Sequence, residues 1–373
     1  LAEYMFVCPE CGFKAPLNPR ITQCPKCGAP LRIELIGGGF TPLRGRGVWR
    51  YKGVMPNPLH VDNPISLGEG GTPLVRRRIN GIDVWFKLEY LNPLGSFKDR
   101  GVSVAATLAK SLGYSTLVED SSGNTGLSTA GYAAASGMKA RIYVPADAPE
   151  GKKKLVRLLG AELIEAPSRS DAARLAEEQL RSGEYHVAHT WNPWFIEGTV
   201  TIAYEVSEDL SWTVPSTIIA PVASGTLLLG IYYGFKRLRK LGVVEDESPR
   251  IIGVQALGTT PVYKAIHGES PQGYSRLIDA LRIPNPPRLK EIVEAIERSR
   301  GDVIIVGDDE VKPALKELAH MGFIVEPTSA SAYAAFKKAF SEGLVERGDS
   351  VLIPLTGTGF KTLDILLEVV SGQ

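Results

Sequence analysis

The sequence predicts an α/β protein built on mostly parallel sheet, preceded by a small metal-binding ribbon. Three observations carry this. Apolar, β-rich runs alternate with helical patterns from about residue 60 to the end, the order that parallel sheets require. All four cysteines stand in the first thirty residues as two Cys-x-x-Cys pairs, and the rest of the chain has none. The length of 373 residues admits two or three domains of the usual ~100–200 residues.

Bulk properties narrow the class. Hydrophobic residues make up 44% and charged residues 22%, as in ordinary globular proteins. The formal net charge of +1 and pI near 7.8 give no global field that would draw nucleic acid or an anionic membrane. No apolar run approaches the ~20 residues needed to span a bilayer. The N-terminus lacks the basic region, apolar run and small-residue cleavage site of a signal peptide. A disulfide framework cannot hold a chain whose body has no cysteine, so the expectation is a reduced, cytoplasmic protein.

The ribbon spans about 1–40. Cys8-Pro-Glu-Cys11 and Cys24-Pro-Lys-Cys27 are each followed by a glycine, Gly12 or Gly28. Two residues between thiolates let both sulfurs of a turn face one ion, and two such turns supply the four soft ligands of a tetrahedral Zn²⁺. A redox dithiol would need one pair and usually opens a helix. With every ligand a protein sulfur, the site is structural and closed. Nearby basic residues (Lys14, Arg20, Lys26, Arg44, Arg46, Arg50) permit nucleic-acid binding, but a solvated basic face explains them equally well.

A Gly/Arg/Pro-containing connection leads to the body at about residue 60. Arg141–Val144, Thr217–Pro221, Ile251–Val254, Val303–Val306 and Val351–Pro354 read as buried strands. Helical patterns cover Gly101–Ser111, Thr125–Ser136, Lys152–Leu159, Asp171–Arg181, Gly225–Leu241, Arg288–Arg298, Val311–Met321 and Ser329–Phe340. The proline-rich stretch from Ile283 to Arg288 reads as a surface loop.

Four turns carry the chemistry. Asn92-Pro-Leu-Gly-Ser-Phe-Lys98 ends a turn in a lysine just ahead of a small-residue helix; taken alone, that lysine is a solvated capping residue. Ser121-Ser122-Gly-Asn124-Thr125-Gly126 opens another small-residue helix, where short hydroxyls, an amide and backbone N–H groups make a cradle for a carboxylate. N-capping is the plainer account of the same residues. Pro221-Val-Ala223-Ser224-Gly225-Thr226-Leu227 runs from strand through a small-residue turn into a long helix, exposing donors suited to a phosphate. It is neither a Walker loop nor a G-x-G-x-x-G fingerprint. Pro354-Leu-Thr356-Gly-Thr-Gly359 closes a late strand with hydroxyls able to meet a buried ring nitrogen.

In this order, across about residues 65 to 365, the four turns resemble the fold-type II pyridoxal 5'-phosphate (PLP) enzymes, the tryptophan-synthase-β-like group. Ser66-Leu-Gly-Glu-Gly-Gly-Thr72-Pro-Leu, Gly95-Ser-Phe-Lys98-Asp-Arg-Gly and Thr356-Gly-Thr-Gly-Phe-Lys361 look most like the threonine synthases, some relatives of which also carry a Cys₄ ribbon. The resemblance implies that Lys98 holds PLP covalently and then carries protons, and that Asn124 bonds its O3′. It further implies that Ser121, Ser122 and Thr125 hold the substrate carboxylate, with Thr72 also at the substrate. Ala223, Ser224, Gly225, Thr226 and Leu227 would hold the cofactor phosphate, and Thr356 would face the pyridine nitrogen. The activity implied is conversion of O-phospho-L-homoserine and water to L-threonine and phosphate.

One stretch departs from the pattern. Asn192-Pro-Trp-Phe195-Ile-Glu-Gly-Thr-Val200-Thr201 keeps Asn-Pro, Glu-Gly and Thr, but many threonine synthases have Arg where Phe195 stands and Lys where Val200 stands. Each lost cation removes charge-assisted bonds to a substrate phosphate worth ~1.5–3 kcal/mol. β-Replacement on an activated serine (cysteine or cysteate synthesis), or dehydration of serine or threonine, is therefore the alternative inside the fold. A zinc-ribbon regulatory or nucleic-acid-binding protein is the alternative outside it, opposed by the intact Lys98, Asn124 and Thr356. The expected architecture is a ribbon at 1–40, a large domain of 41–94 with 206–373, and a small mobile domain at 95–205, two open twisted α/β domains with the cofactor in the cleft. The resemblance also implies a homodimer acting on a small amino acid, without membrane or nucleic acid.

Overall fold

The computed structural model describes residues 2–148, 150–245 and 248–371. It falls into two compact units, Leu1–Gly71 with Asn92–Thr201 and Thr72–Leu91 with Ile202–Gln373. In chain order, β1 (Glu3–Val7), β2 (Lys14–Pro16) and β3 (Arg32–Gly37) belong to the ribbon, and β4 (Leu74–Ile79) and β5 (Ile82–Lys87) form a hairpin. There follow α1 (Lys98–Ser111), β6 (Thr116–Glu119), α2 (Asn124–Ser136), β7 (Lys139–Pro145), α3 (Glu150–Leu158), β8 (Glu162–Ala166), α4 (Arg169–Glu178), β9 (Glu184–His186) and α5 (Pro193–Asp209). The chain ends with β10 (Thr217–Pro221), α6 (Thr226–Lys240), β11 (Arg250–Ala256), α7 (Pro261–His267), α8 (Leu289–Arg298), β12 (Asp302–Val306), α9 (Asp308–His320), α10 (Pro327–Ser341), β13 (Ser350–Pro354) and α11 (Leu363–Ser371). Every strand and helix read from the sequence is present, and the α/β class holds.

The first unit contains a four-stranded, all-parallel sheet of order β8-β7-β6-β9. Both faces of the two central strands are covered, so successive apolar residues are buried rather than alternating with exposed ones: Leu117 and Val118 of β6, and Ile142 and Val144 of β7, are all buried. The antiparallel ribbon sheet, of order β2-β1-β3, has no core large enough to stand alone. Instead Phe6, Leu31 and Ile33 share one apolar cluster with Val104 and Leu108 of α1 and with Trp194. Phe6 meets Trp194 edge to face, ring centroids 5.7 Å apart. Residues 41–71, which the sequence groups with the second domain, lie in this first unit: Trp49 Nε1 donates to Ser103 Oγ of α1 at 2.8 Å.

The second unit holds a six-stranded sheet of order β12-β11-β10-β13-β5-β4. All pairs are parallel except β4 with β5, whose hairpin turns at Asn80-Gly81 with φ of 52° and 82°. Two successive positive φ angles are what a two-residue hairpin needs and what Asn-Gly supplies most readily.

Each of the two parallel sheets reverses its direction of growth once. In the first unit the chain runs outward from β6 through β7 to β8, and β9 then returns to the far side of β6. In the second it runs outward from β10 through β11 to β12, and β13 returns to the far side of β10. Beyond the carboxyl ends of strands at such a reversal, the loops part and leave a crevice, the usual ligand position in open α/β sheets. Among the described residues no helix is long and apolar enough to cross a membrane.

Candidate active site

The loops after β6 and β9 build the crevice of the first unit. β6 runs into the Ser121–Gly126 loop, which opens α2. A Cβ at Gly126 would lie 1.9 Å from the Ser121 carbonyl oxygen, so only glycine lets the loop close this tightly on the helix. Ser121 Oγ accepts the Gly123 N–H at 3.2 Å. The first N–H groups of a helix have no intrahelical partner and carry its positive dipole end. The start of α2 thus has the donors and dipole that can receive an anion, and the partly exposed Ser121, Ser122 and Asn124 stand in front of it.

Lys98 is the first residue of α1. Its Nζ stands 5.0 Å from the Phe97 ring centroid and 5.5 Å from that of Phe195. The neighbouring Asp99 is fully buried and fixes the turn: Oδ2 accepts the Leu94 N–H at 2.7 Å, and Oδ1 accepts the Ser128 hydroxyl of α2 at 2.6 Å. One carboxylate therefore ties the lysine turn to the helix after the Ser121 loop. Glycines let residues 193–201 of α5 press on the start of α1. A Cβ at Gly198 would come 2.1 Å from the Arg100 carbonyl oxygen, and one at Gly101 2.5 Å from the Phe195 ring. Arg100, also buried, donates to Thr201 Oγ1 at 2.9 Å. Phe195 and Val200 are core residues. The buried Glu69 accepts from Tyr132 OH at 2.7 Å and Ser103 Oγ at 2.6 Å, holding the Ser66–Gly71 segment to both helices.

Two histidine–carboxylate pairs stand at the same strand ends. His189 Nδ1 lies 2.7 Å from Glu119 Oε1, the last residue of β6. His186 Nε2 lies 3.5 Å from Asp120 Oδ1, an ion-pair separation. Burial alone would push His186 down, but the Asp120 and Glu119 carboxylates outweigh it and raise its pKa. Burial likewise opposes ionisation of Asp120, and the two histidines overcome it and lower its pKa.

In the second unit the Ala223–Leu227 turn comes after β10, and Thr356 after β13, so the two lie at neighbouring strand ends of the sheet reversal. Gly225 sits at φ +86°, and a Cβ there would meet Ile292 Cδ1 at 2.5 Å. Ser224 and Thr226 are buried, their hydroxyl oxygens 3.5 Å apart. Thr356 Oγ1 lies 2.8 Å from Ser329 Oγ, which also accepts the Gly357 N–H at 2.9 Å. A side chain at Gly357 would meet the Glu326 carboxylate at 2.3 Å. Thr72 lies in this unit too; its hydroxyl donates to Glu89 at 2.7 Å, and its carbonyl accepts from the buried Lys87 at 2.6 Å. Sequence pattern does not single out Asp99, Glu69, His189, Glu119 or Ser329. Asp99 alone has a local signal, its place beside Lys98.

The four cysteines meet. Their sulfurs lie within 4.8 Å of one another, with Cys8–Cys27 and Cys11–Cys24 both at 3.6 Å. Zn–S bonds of about 2.3 Å place tetrahedral sulfurs roughly 3.8 Å apart, close to these separations. The two turns match: Gly12 N–H donates to Cys8 O at 3.1 Å and Gly28 N–H to Cys24 O at 2.8 Å, at φ of 71° and 74°. Burial resists ionisation of Cys24, yet the Lys26 and Cys27 N–H groups draw it down to about 7. Ala29 N–H favours the Cys27 thiolate, but burial and the three neighbouring sulfurs push it up to about 12. Four thiolates this close repel one another, and a divalent ion relieves that repulsion.

The family model for the pyridoxal-phosphate dependent enzymes matches residues 65–357. The chain belongs to that family. Among PLP-dependent relatives, it is 34% identical to the threonine synthase of Methanocaldococcus jannaschii, over 97% of this chain and 94% of that one. It is 31% identical to that of Methanosarcina acetivorans, over 98% and 94%. Among solved structures it shares the fold of an O-acetylserine-dependent cystathionine β-synthase from Helicobacter pylori, with TM-score 0.67 and 24% identity over 79% of this chain and 95% of that one. It also shares the fold of a fungal L-serine ammonia-lyase from Rhizomucor miehei, with TM-score 0.70 and 22% identity over 80% and 97%.

Proposed function

We propose that this PLP enzyme is a threonine synthase, converting O-phospho-L-homoserine and water to L-threonine and phosphate, with a structural zinc ion in its ribbon. The observation that carries the reading is similarity to threonine synthases over nearly the whole of both chains. Each unit carries donors whose chemistry suits the cofactor: a primary amine at a helix start in the first, and in the second a turn at Gly225 where a Cβ has no room and a buried hydroxyl pair at Thr356. Bound PLP supplies the electron sink that makes a Cα proton removable.

The chain's own residues do the rest. Lys98 would hold the cofactor, and its Nζ would take the Cα proton of the substrate and later move a proton at Cβ. Phe97 and Phe195 keep water from that amine. Ser121, Ser122 and Thr125, at the positive end of α2, hold the substrate carboxylate, and Asn124 donates to the cofactor O3′. Ala223, Ser224, Gly225, Thr226 and Leu227 receive the cofactor phosphate on N–H groups at the start of α6. Thr356, steadied by Ser329, faces the ring nitrogen. Cys8, Cys11, Cys24 and Cys27 hold the zinc, and Thr72 shapes the substrate side.

A second reading, β-replacement on activated serine or dehydration of serine or threonine, is favoured by the buried, apolar Phe195 and Val200 where a phosphate-binding cation would stand. The test is incubation of PLP-loaded protein with O-phospho-L-homoserine, following phosphate and threonine together. Equimolar products support threonine synthase. No turnover with the cofactor's visible absorbance intact moves the assignment to O-phosphoserine, O-acetylserine or the free amino acids. The reading also takes the protein as a cytoplasmic homodimer, in keeping with four unbridged thiols and checked by light scattering.

A further inference from the structure

We propose that His189, oriented by the buried Glu119 carboxylate, is the group that receives and protonates the substrate's leaving phosphate, a task for which Phe195 has no charge. The inference rests on the phosphohomoserine reading for the identity of the substrate, and on geometry for the rest.

The pair is well placed for this. Glu119 ends β6 two residues before Ser121, and His189 comes three residues after β9. The pair therefore spans the sheet reversal of the first unit, whose crevice the Ser121–Thr125 loop also borders. His189 packs against Phe195 with ring centroids 5.9 Å apart, and the same Phe195 ring lies 5.5 Å from Lys98 Nζ. The imidazole and the lysine amine thus border one aromatic side chain.

His189 is also held at a cost. Glu119 has no exposure, and its Oε2 has no hydrogen-bond partner. A buried carboxylate with an idle oxygen is costly for a group that merely ties two loops together, since a neutral amide would serve as well. The backbone before the histidine is strained: Ala188 adopts φ +42°, a region an alanine rarely occupies and one that clusters at functional sites. The turn after it is pinned by Asn192, whose Nδ2 donates to Tyr185 OH at 2.9 Å and Val187 O at 3.0 Å. The fold spends strain and an unpaired buried oxygen on presenting this one ring.

The chemistry of the pair suits the leaving group. With Nδ1 given to Glu119 at 2.7 Å, Nε2 is the ring nitrogen left to face a ligand, and in the proposed step it carries the proton that is transferred. A phosphate ester dianion expelled by C–O cleavage would leave as the trianion unless a proton meets it. In the proposed step the electron pair left by the Cβ proton, which Lys98 takes, forms a Cβ–Cγ double bond as the Cγ–O bond breaks; the Cγ–O pair stays on the ester oxygen, and the Nε2 proton joins that oxygen. Hydrogen phosphate departs, and neutral His189, still bonded through Nδ1–H to Glu119, regains a proton from solvent.

Two variants of the PLP-loaded enzyme test this. His189→Phe keeps a ring against Phe195 and removes both nitrogens. His189→Gln places an amide N–H near the Nε2 position but cannot release a proton. Inorganic phosphate binding is read by calorimetry, a measurement independent of turnover, alongside kcat and KM for O-phospho-L-homoserine. His189→Phe is expected to weaken phosphate binding about tenfold or more and to lower kcat/KM by about 10²-fold or more, the range of general acid catalysis. His189→Gln should regain most of the phosphate affinity while kcat stays low. Phosphate affinity and kcat/KM within about twofold of wild type in His189→Phe would overturn the proposal, as would full kcat in His189→Gln. If wild type does not turn over phosphohomoserine, the threonine synthase reading fails by itself. Calorimetry then still decides whether His189 binds phosphate.

Discussion

Replacing Asp99 by alanine should destabilise the first unit by about 3–6 kcal/mol and slow turnover, although the side chain touches no reacting atom. Asp99 is fully buried and accepts hydrogen bonds from the Leu94 N–H at 2.7 Å and the Ser128 hydroxyl at 2.6 Å. Bonds to a charged acceptor contribute about 1.5–3 kcal/mol each, and alanine takes this acceptor from the buried Ser128 hydroxyl and the partly buried Leu94 N–H. Asparagine separates geometry from charge. Its oxygen can still accept from Leu94, and its amide can donate to the rotatable Ser128 hydroxyl, so only charge assistance is lost, about 1–2 kcal/mol. Urea unfolding of PLP-loaded wild type, Asp99→Ala and Asp99→Asn measures both, with kcat followed in parallel. Alanine should cost about three times what asparagine does, and kcat should fall in the same order as the Lys98 turn loosens. Equal losses in the two variants, or less than about 1 kcal/mol for alanine, would refute the view that this carboxylate sets the lysine's position.

Other consequences can be tested alongside. Lys98→Ala should abolish catalysis and the visible absorbance of covalently held cofactor while thermal unfolding stays cooperative; normal turnover would remove Lys98 from its role. Cys8→Ser should drop bound zinc from about one per chain toward none by elemental analysis. It should also raise amide exchange in α1, because the ribbon core includes Val104 and Leu108 of that helix. Gly225→Ala forces a side chain into φ +86° and toward Ile292 at 2.5 Å. PLP affinity should fall by tenfold or more, the left-handed conformation alone costing about 1–2 kcal/mol, as equilibrium dialysis would measure. His186 has a raised pKa and Asp120 a lowered one. The histidine's contribution is complete below its unfolded value of about 6.5 and lost as pH climbs through the folded one; the aspartate's is complete above about 3.9 and lost as pH falls. The stability difference between wild type and His186→Gln should therefore peak between about pH 4 and 6.5 and shrink above neutrality.

Local pattern encodes the part of this fold that is legible in the sequence. The central strands Thr217–Pro221 and Val351–Pro354 are short apolar runs between turn residues, and the sheet that buries both their faces requires that composition. The Cys-x-x-Cys-Gly turns specify their own geometry. The β4–β5 hairpin is harder to see although Asn80-Gly81 marks it, because Arg76, Arg77 and Arg78 obscure the alternation of an edge strand. α5 stands out only as a motif, its helical face hidden in a segment apolar nearly all round. The pairing of His189 with Glu119 is beyond reach. The two residues lie 70 positions apart and are joined only by the order in which strands add to a sheet. Residues 41–71 lack a periodic pattern of their own, and long-range bonds such as Trp49 to Ser103 place them with the first unit.

The two sheet reversals explain why the loops proposed to hold the lysine and the anions in each unit need glycine. A helix N-terminus binds an anion only if the preceding turn lets ligand and backbone approach closely, which a Cβ prevents. At the first reversal Gly126 lets the loop close on its helix, and at the second Gly225 takes a backbone conformation that other residues resist. Between α1 and the first residues of α5, Gly101 and Gly198 bring Phe195 against the lysine's helix. Substitution of Gly198 should accordingly disturb catalysis through Phe195, whereas substitution of Gly126 should weaken carboxylate binding first. Two glycines in one unit thus predict opposite splits between kcat and KM: Gly198→Ala lowering kcat with KM little changed, and Gly126→Ala raising KM.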